Sequence, residues 1–437
     1  MQLKRRAPSV RQQLAAASCA LLGATAARGQ DTAGAIAAVQ ASDWSVDSAL
    51  AYYHEDGRIQ AIEPVVDVSK TFSAGQVLGL KLTADSLSGA SPNGALPSNK
   101  AQTFASPSGT SLSPASSSGK KAHPYTVLPG QLPADPDYQD QRVAAALSWS
   151  QPLTRLTQMS VGSKFSYEDD FFSASVNASI AHDFNEKNTT ASLEVNGEFD
   201  TINPIGGTPV PLSDYLLFDK TSGNEHKNGA GVLLGLTQVI TPQWVAELNL
   251  TADRFTGYLT DPYKIVSVID PLGNTTGYLY EHRPDERLRR SVYLENRVGW
   301  GRASVALYLR YMTDDWQVHS ETVQLTPRWW MAGRTQYLEP TFRWYHQSAA
   351  SFYTPWLTSA DAQVQYASAD QRLAAFDAMT YGLKYGIKID DARQELSLRI
   401  EYYEQHLTDR MAAPAMLEGL DLYPGLKAIL VQVGWHF

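Results

Sequence analysis

The sequence closes with the stretch ILVQVGWHF, residues 429–437, and this stretch decides the fold. Every second residue in it is apolar: Ile429, Val431, Val433, Trp435 and Phe437. The residues between them are Leu430, Gln432, Gly434 and His436. An alternation of period two indicates a β-strand whose two faces meet different surroundings.

The same alternation recurs along the chain, and it predicts sixteen strands near residues 46–55, 58–71, 76–87, 140–150, 156–167, 171–184, 189–202, 229–240, 243–259, 288–300, 302–313, 316–331, 335–350, 379–389, 394–407 and 426–437. A soluble β-sandwich also alternates, but it seldom needs strands of about ten residues. In a membrane barrel the apolar face meets lipid, the polar face meets a wet lumen, and the sheet must close to pair every backbone group. The sequence therefore predicts an all-β fold: a transmembrane, antiparallel up-and-down β-barrel of about sixteen strands.

The lengths of the connections support this prediction. Seven predicted turns, which alternate along the chain, are short, whereas the long segments 88–139, 203–228, 260–287, 351–378 and 408–425 all fall at the other end of the strands. Short periplasmic turns and long extracellular loops are the asymmetry expected of outer-membrane barrels. Tryptophans beside the short turns and tyrosines near the outer ends agree with two interfacial belts.

Two of the long outer loops have distinct compositions. Residues 88–139 include a Ser-, Pro- and Gly-rich stretch and are predicted to form a mobile outer loop. Residues 260–287 hold two apolar runs, 264–269 and 277–280, which could form a hairpin that protrudes or folds toward the mouth. A rival count makes these runs two further spanning strands, giving eighteen, but they are too short to span.

The first 29 residues are predicted to be a secretory signal peptide. Lys4, Arg5, Arg6 and Arg11 precede a short apolar run at 14–26, and small residues follow, so that cleavage after residue 26 or residue 29 is plausible. The alternative is a retained anchor, for which the run is short.

Residues 30–437 are predicted to form the barrel, located in the outer membrane of a Gram-negative bacterium. A terminal strand that ends on Phe437 resembles the signal recognised by the barrel-assembly machinery, which is an expected partner beside the lipid bilayer.

Composition excludes several classes of function. The net charge of −9 argues against nucleic acid as a partner, because phosphate binding needs a basic surface. The only cysteine, Cys19, lies in the predicted signal peptide, so the mature chain has no thiol for disulfides or metal ligation. The nine histidines are scattered without a nucleophile or metal spacing. No cofactor or metal is expected, and a surface hydrolase using His282 beside Glu281 is the least supported function.

Charged residues in lumen-facing phase are the first group of candidate functional residues. The lumen-lining candidates are Glu63, Asp67, Lys81, Asp85, Glu194, Glu198, Glu247, Arg297, Arg310, Arg328, Arg343, Lys384, Lys388 and Arg399. Acids predominate in the early strands and bases in the later ones, which would orient polar solutes if the two sets faced each other across an open lumen. The alternative is that these charges pair and fill the barrel.

A second group lies in two outer loops. Ser91 and Asn93 belong to a Gly- and Pro-containing stretch that suggests a fixed turn, and the other loop carries Asp261, Lys264, Glu281, Arg283 and Arg287. One interpretation is a site for a ligand or protein partner at the barrel mouth. The other is an ion-paired loop that braces itself.

Three strings in these loops are similar to the DUF3570 family of outer-membrane proteins: ADSLSGASPNGA at 84–95, DPYK at 261–264 and YEHRPDER at 280–287, followed by Arg289. The resemblance covers nearly all of the mature chain. It implies an outer-membrane barrel but no activity and no functional residues. Genes of this family often neighbour those of small lipoproteins, thioredoxin-like proteins and a flavin transferase.

Two functions follow as hypotheses. The first is a porin-like barrel that passes or binds small polar solutes. The second is a non-conducting scaffold that docks periplasmic or surface partners in a redox or cofactor pathway of the envelope.

Overall fold

The structure is a computed structural model of the 437-residue chain, and it describes residues 43–106, 123–217, 219–361, 364–389 and 394–437. The predicted signal peptide with Cys19, most of the Ser-rich stretch and the predicted turn at 390–391 lie outside these ranges.

The strands are β1 (Asp43–Glu55), β2 (Ile59–Thr71), β3 (Val77–Pro92), β4 (Gln102–Ser106), β5 (His123–Val127), β6 (Ala134–Pro152), β7 (Thr157–Tyr167), β8 (Phe171–Phe184), β9 (Thr189–Ile202), β10 (Thr208–Pro209), β11 (Lys220–Thr221), β12 (Glu225–Thr241), β13 (Trp244–Gly257), β14 (Ile265–Ile269), β15 (Thr275–Tyr280), β16 (Glu286–Trp300), β17 (Ala303–Asp314), β18 (His319–Met331), β19 (Gln336–Gln347), β20 (Trp356–Thr358), β21 (Phe376–Ile389), β22 (Gln394–Leu407) and β23 (Leu426–His436). Short 3-10 helices cover Asn185–Lys187, Tyr215–Leu217, Ala332–Arg334, Ser359–Asp361, Gln371–Leu373 and Ala415–Leu417.

Sixteen of these strands form one closed antiparallel barrel in the order β1-β2-β3-β6-β7-β8-β9-β12-β13-β16-β17-β18-β19-β21-β22-β23. The first and last strands pair directly, with Leu50 opposite Val433. Closure leaves no sheet edge, so every strand can pair its backbone groups on both sides. The predicted fold class and strand count are confirmed.

The barrel strands present an apolar outer face and a polar inner face. In β22, Leu396, Leu398 and Ile400 are exposed, whereas Glu395 and Arg399 between them are buried. The exposed apolar side chains belong to the lipid-facing surface, where they avoid contact with water. Period-two patterning therefore fixes which side of each strand faces the membrane.

The periplasmic turns are short, as predicted. Two of them, after β8 and after β18, are 3-10 turns whose central residues, Glu186 and Gly333, adopt positive φ values. Trp329 on β18 and Trp435 on β23 are about half exposed at this end of the barrel. Trp330 is different, because its ring lies under Lys388 and packs against the buried Tyr337. It belongs to the lumen wall rather than to an interfacial belt.

The long extracellular loops pack together into what we call the loop cap: residues 93–106, 123–133, 203–217, 258–285, 348–361, 364–375 and 408–425. At its centre, β14 pairs with β15 and with β20 in a three-stranded sheet. The hairpin predicted at 264–280 is therefore present, and the barrel has sixteen strands rather than eighteen. Ile265, Val266 and Ile269 are at most 2% exposed, because other loops cover both faces of β14.

Of the loop predicted over 88–139, the structure describes residues 88–106 and 123–139, and these parts form strands and packed segments. β3 continues to Pro92 by pairing with the first residues of β6. Beyond it, Leu96, Phe104 and Tyr125 are buried in apolar clusters of the cap. Burying an apolar side chain of this size contributes about 1.5–3 kcal/mol, enough to hold these segments in place.

Among the described residues, the helices are all too short to cross a membrane.

Candidate functional site

Three acids and three bases pair with one another inside the loop cap, and we call this group the clasp: Asp261, Lys264, Glu281, Arg283, Asp370 and Arg372. Arg283 contacts Glu281 at 2.6 Å and Asp370 at 2.8 Å. Arg372 donates through Nε to Asp370 at 2.7 Å and through Nη2 to Asp261 at 2.6 Å. The clasp therefore ties the 258–285 loop to the 348–375 loop.

Further hydrogen bonds anchor the clasp in the cap. The main-chain N–H of Asp261 donates to Glu281 Oε1 at 2.7 Å, and the hydroxyl of Ser368 donates to Glu281 Oε2. Lys264 Nζ donates to the main-chain oxygen of Pro92, at the end of β3.

Burial alone would raise the pKa of Asp370, but the guanidinium groups of Arg372 and Arg283 outweigh burial and hold that pKa well below its ordinary value. Burial lowers the pKa of Lys264.

A chamber of about 830 Å³ lies at the outer end of the barrel, between the loop cap and the strand ends. Its acidic sector comes from β6 and the turn after β7, where Asp140, Glu168 and Asp170 lie. Its basic sector comes from β12 and β16 and contains Lys227, Arg287 and Arg289. The two sectors lie on different parts of the barrel wall, so the chamber has separated regions of opposite charge.

Glu168 is a titratable group of this chamber whose pKa lies near neutral pH. Burial and the nearby acids Asp140 and Asp170 raise the pKa of its carboxyl to about 7, against the opposing effect of Arg142. Like charges that share a poorly hydrated region disfavour ionisation of one another. The charge of the acidic sector therefore changes around neutral pH.

The loop residues named from the sequence divide into three sets. Asp261, Lys264, Glu281 and Arg283 come together in the clasp. Arg287 does not join them, because it pairs with Asp314 on β17 and lines the chamber.

Ser91 and Asn93 also line the chamber. The main-chain oxygen of Asn93 accepts a hydrogen bond from the N–H of Ile265 at 2.9 Å. Gly94 follows with a φ of +95° and lies so close to the oxygen of Ile265 that a Cβ would not fit. The fixed turn predicted from the sequence thus docks β3 onto the central strand of the cap.

Many lumen-facing charges form ion pairs along the barrel wall. Arg142 pairs with Asp85 and, at 3.4 Å, with Glu63; Lys384 lies 3.8 Å from Glu395. The remaining wall pairs are Lys227 with Glu198 and Asp200, Arg297 with Glu295, Arg328 with Glu339, and Arg399 with Glu401. Arg142 on β6 reaches Glu63 on β2 across β3, and each of the other pairs joins adjacent strands or two positions on one strand. Pairing of this kind neutralises the wall without bridging the lumen.

The other predicted lumen residues also lie in inward positions. Arg343 donates to Gln324 at 2.8 Å, and Glu247 accepts from Asn249 at 2.8 Å. Asp67 faces Lys81 in the β2–β3 register. The rest lie on the wall in contact with neighbouring residues: Glu194, Arg310 and Lys388.

Two inward side chains are well exposed. Asn196 on β9 is exposed. Its side chain points inward, because Val195 before it lies on the lipid face and Glu194 lies on the inner wall. The Arg297 side chain is 56% exposed near the periplasmic end. Exposure at these positions requires open space inside the barrel.

His282, the candidate for a surface hydrolase, is held by the cap. Its Nδ1 shares a hydrogen bond with the main-chain oxygen of Gln365 at 2.7 Å, and its ring packs on Tyr366. Within the ranges that the structure describes, no group of three or more His, Cys, Asp or Glu side chains could hold a metal ion.

Sequence reasoning missed Asp370, Arg372, Glu168 and the role of Arg289. The string SADQR at 368–372 is a small charge cluster in a long loop and could have drawn attention. Its pairing with residues about 90–110 positions away could not be read, because loop contacts leave no periodic pattern.

A family model described as "Protein of unknown function (DUF3570)" matches residues 11–437. The comparison with curated proteins gives no match.

Solved structures similar to this chain include three outer-membrane proteins. A bacterial polysaccharide outer membrane secretin shares 8% identity, with 90% of this chain and 98% of that chain covered and a TM-score of 0.42. OccD3 (OpdP) of Pseudomonas aeruginosa shares 8% identity over 93% of each chain, with a TM-score of 0.42. OccK2 (OpdF) of the same organism, in complex with glucuronate, shares 10% identity over 91% of this chain and 98% of that chain, with a TM-score of 0.40. Similarity at this level carries no functional argument.

Proposed function

The chain belongs to the DUF3570 family of proteins of unknown function, and we propose that it is a porin-like barrel of the outer membrane that passes small polar solutes. The observation that carries this proposal is the lateral pairing of the wall charges. Because these charges are satisfied along the wall, they need not meet across the lumen, and Asn196 and Arg297 remain exposed inside it.

The loop cap supports selectivity by size and charge. Loops folded over the mouth leave a chamber of about 830 Å³, within the range of about 300–1,000 Å³ of pockets that hold small molecules. Acidic and basic sectors in one confined space attract solutes that carry charged groups, since low-dielectric walls focus the field. A folded protein would not fit in a chamber of this volume.

Refolded protein without residues 1–29, inserted in a planar lipid bilayer in KCl, is expected to give discrete conductance steps. A matched preparation of heat-denatured protein controls for detergent artefacts. Well-folded protein that inserts in vesicles but gives no steps would contradict solute passage and favour the scaffold function.

The ion preference of the channel is expected to depend on pH. As the pH rises from 6 to 8, Glu168 loses its proton and adds a negative charge to the chamber, because its pKa is about 7. The reversal potential in a KCl gradient should therefore shift toward cations. The shift should be smaller in Glu168→Gln and unchanged in Glu186→Gln, which alters an exposed carboxyl at the periplasmic end. An equal pH response in all three proteins would contradict this assignment.

A further inference from the structure

Two cations of the basic sector, Lys227 and Arg289, lie over the ring of Phe255, and the third, Arg287, is opposite Phe255 in the strand register. Lys227 lies 5.7 Å from the ring centroid and pairs with Glu198 at 3.2 Å and with Asp200 at 2.7 Å. Lys227 on β12 and Phe255 on β13 both point inward, so they lie on the chamber wall. The charge of Lys227 is therefore already matched by carboxylates.

Arg287 is matched as well. It donates through Nε to Asp314 Oδ2 at 2.8 Å, and its Nη2 donates to the same oxygen. The other carboxylate oxygen of Asp314 accepts from the N–H of Val318 at 2.9 Å. Trp316 covers the guanidinium of Arg287 at 4.3 Å.

Arg289 differs from both. It is only 7% exposed and lines the chamber, and its Nε has no hydrogen-bond partner among the described residues. Its guanidinium lies 4.6 Å over the ring of Phe255, which covers one face of the group.

The two carboxylates nearest to Arg289 in register are both directed elsewhere. Asp314, opposite Arg289 on β17, is engaged by Arg287 and Val318. Asp253, opposite it on β13, rests against Gly231 of β12, where the absence of a side chain makes room for its carboxylate. Within the part of the chain that the structure describes, this poorly hydrated guanidinium forms no ion pair with a carboxylate.

We propose that Arg289 is the anchor of a binding site for a small organic carboxylate in the chamber. A guanidinium edge offers two parallel N–H donors that match the two oxygens of a carboxylate. Phe255, Phe171 and Trp316 line the same part of the chamber and provide a surface for the apolar body of such a molecule. Inorganic phosphate fits less well, because the neighbouring Asp253 and Asp314 repel a dianion more strongly than the single charge of a carboxylate. The site gives a substrate class to the proposed channel, but binding itself does not require conduction.

The experiment measures benzoate binding to refolded, detergent-solubilised protein by titration calorimetry. Loss of one charge-assisted, bidentate contact is expected to weaken binding roughly tenfold or more in Arg289→Gln. The matched control is Arg290→Gln, since this neighbour on the same strand is exposed on the opposite face of the sheet. Arg289→Lys keeps the charge but loses the bidentate geometry. Its affinity for benzoate should lie between those of Arg289→Gln and wild type. Heat-modifiable migration on gels identifies folded protein for each variant.

Equal benzoate affinity in wild type and Arg289→Gln would overturn the proposal, as would equal losses in Arg289→Gln and Arg290→Gln. Phosphate binding tighter than benzoate binding would overturn the carboxylate class. Specific benzoate binding in a protein that does not conduct would support this site while contradicting solute passage. If the protein conducts but its benzoate affinity is unchanged in Arg289→Gln, this site is contradicted and the proposed channel function is not.

Discussion

Replacing Asp370 by asparagine is expected to destabilise the loop cap by about 3–5 kcal/mol, since it removes the buried carboxylate that Arg283 and Arg372 share and leaves the three bases of the clasp with only two acids. Both arginines contact the same carboxylate, and Asp370 is only 4% exposed. Water cannot readily replace the lost partner. The 258–285 and 348–375 loops should then separate while the barrel below them stays closed.

Hydrogen exchange of the folded protein in detergent checks this expectation. Peptides from residues 258–285 and 364–375 should exchange faster in Asp370→Asn, and peptides from barrel strands should not. Asp409→Asn is the control, because Asp409 is exposed in another outer loop. Unchanged protection of the cap in Asp370→Asn would mean that the clasp does not hold these loops together.

An arginine placed on the lipid face is expected to destabilise the barrel by about 2–4 kcal/mol near the middle of the bilayer. Val176 on β8 suits this test, because it is 54% exposed on the outer face of the sheet. The next residue, Asn177, points inward beside Gly162 and Asn196, where a long polar side chain has space. Val176→Arg should therefore be far more harmful than Asn177→Arg.

The measurement is urea-induced unfolding of each variant in lipid vesicles, followed by tryptophan fluorescence. The two variants add the same charge one residue apart. The difference between their free energies of unfolding therefore measures the effect of the face of the sheet on which the arginine lies. Equal destabilisation by both arginines would contradict the inward and outward assignment of β8.

Local alternation was sufficient to predict the barrel strands. Met379 to Ile389 alternate strictly in the sequence, and β21 covers them from Phe376 to Ile389. The pattern is reliable here because lipid and lumen impose opposite demands on successive residues. The hairpin of β14 and β15 could also be predicted from the sequence, although its burial under other loops could not.

The contacts of the cap could not be predicted in the same way. Arg283 and Asp370 are 87 residues apart, and their pairing depends on how two irregular loops fold over the mouth. The extension of β3 to Pro92 was missed because residues 88–92 lie beyond the alternating stretch and gain their strand geometry from pairing with β6. Arg289 looked like one of several loop charges, and only the engagement of Asp314 and the orientation of Asp253 single it out.

We expect alternate residues of each barrel strand to meet lipid and a water-filled lumen. Single cysteines at Val195 and Asn196 of β9 test it most directly, because Cys19, the only natural cysteine, lies in the predicted signal peptide. In proteoliposomes a charged, membrane-impermeant thiol reagent should label Asn196→Cys rapidly and Val195→Cys hardly at all. Rapid labelling of Val195→Cys with protection of Asn196→Cys, or equal labelling of both, would contradict the account.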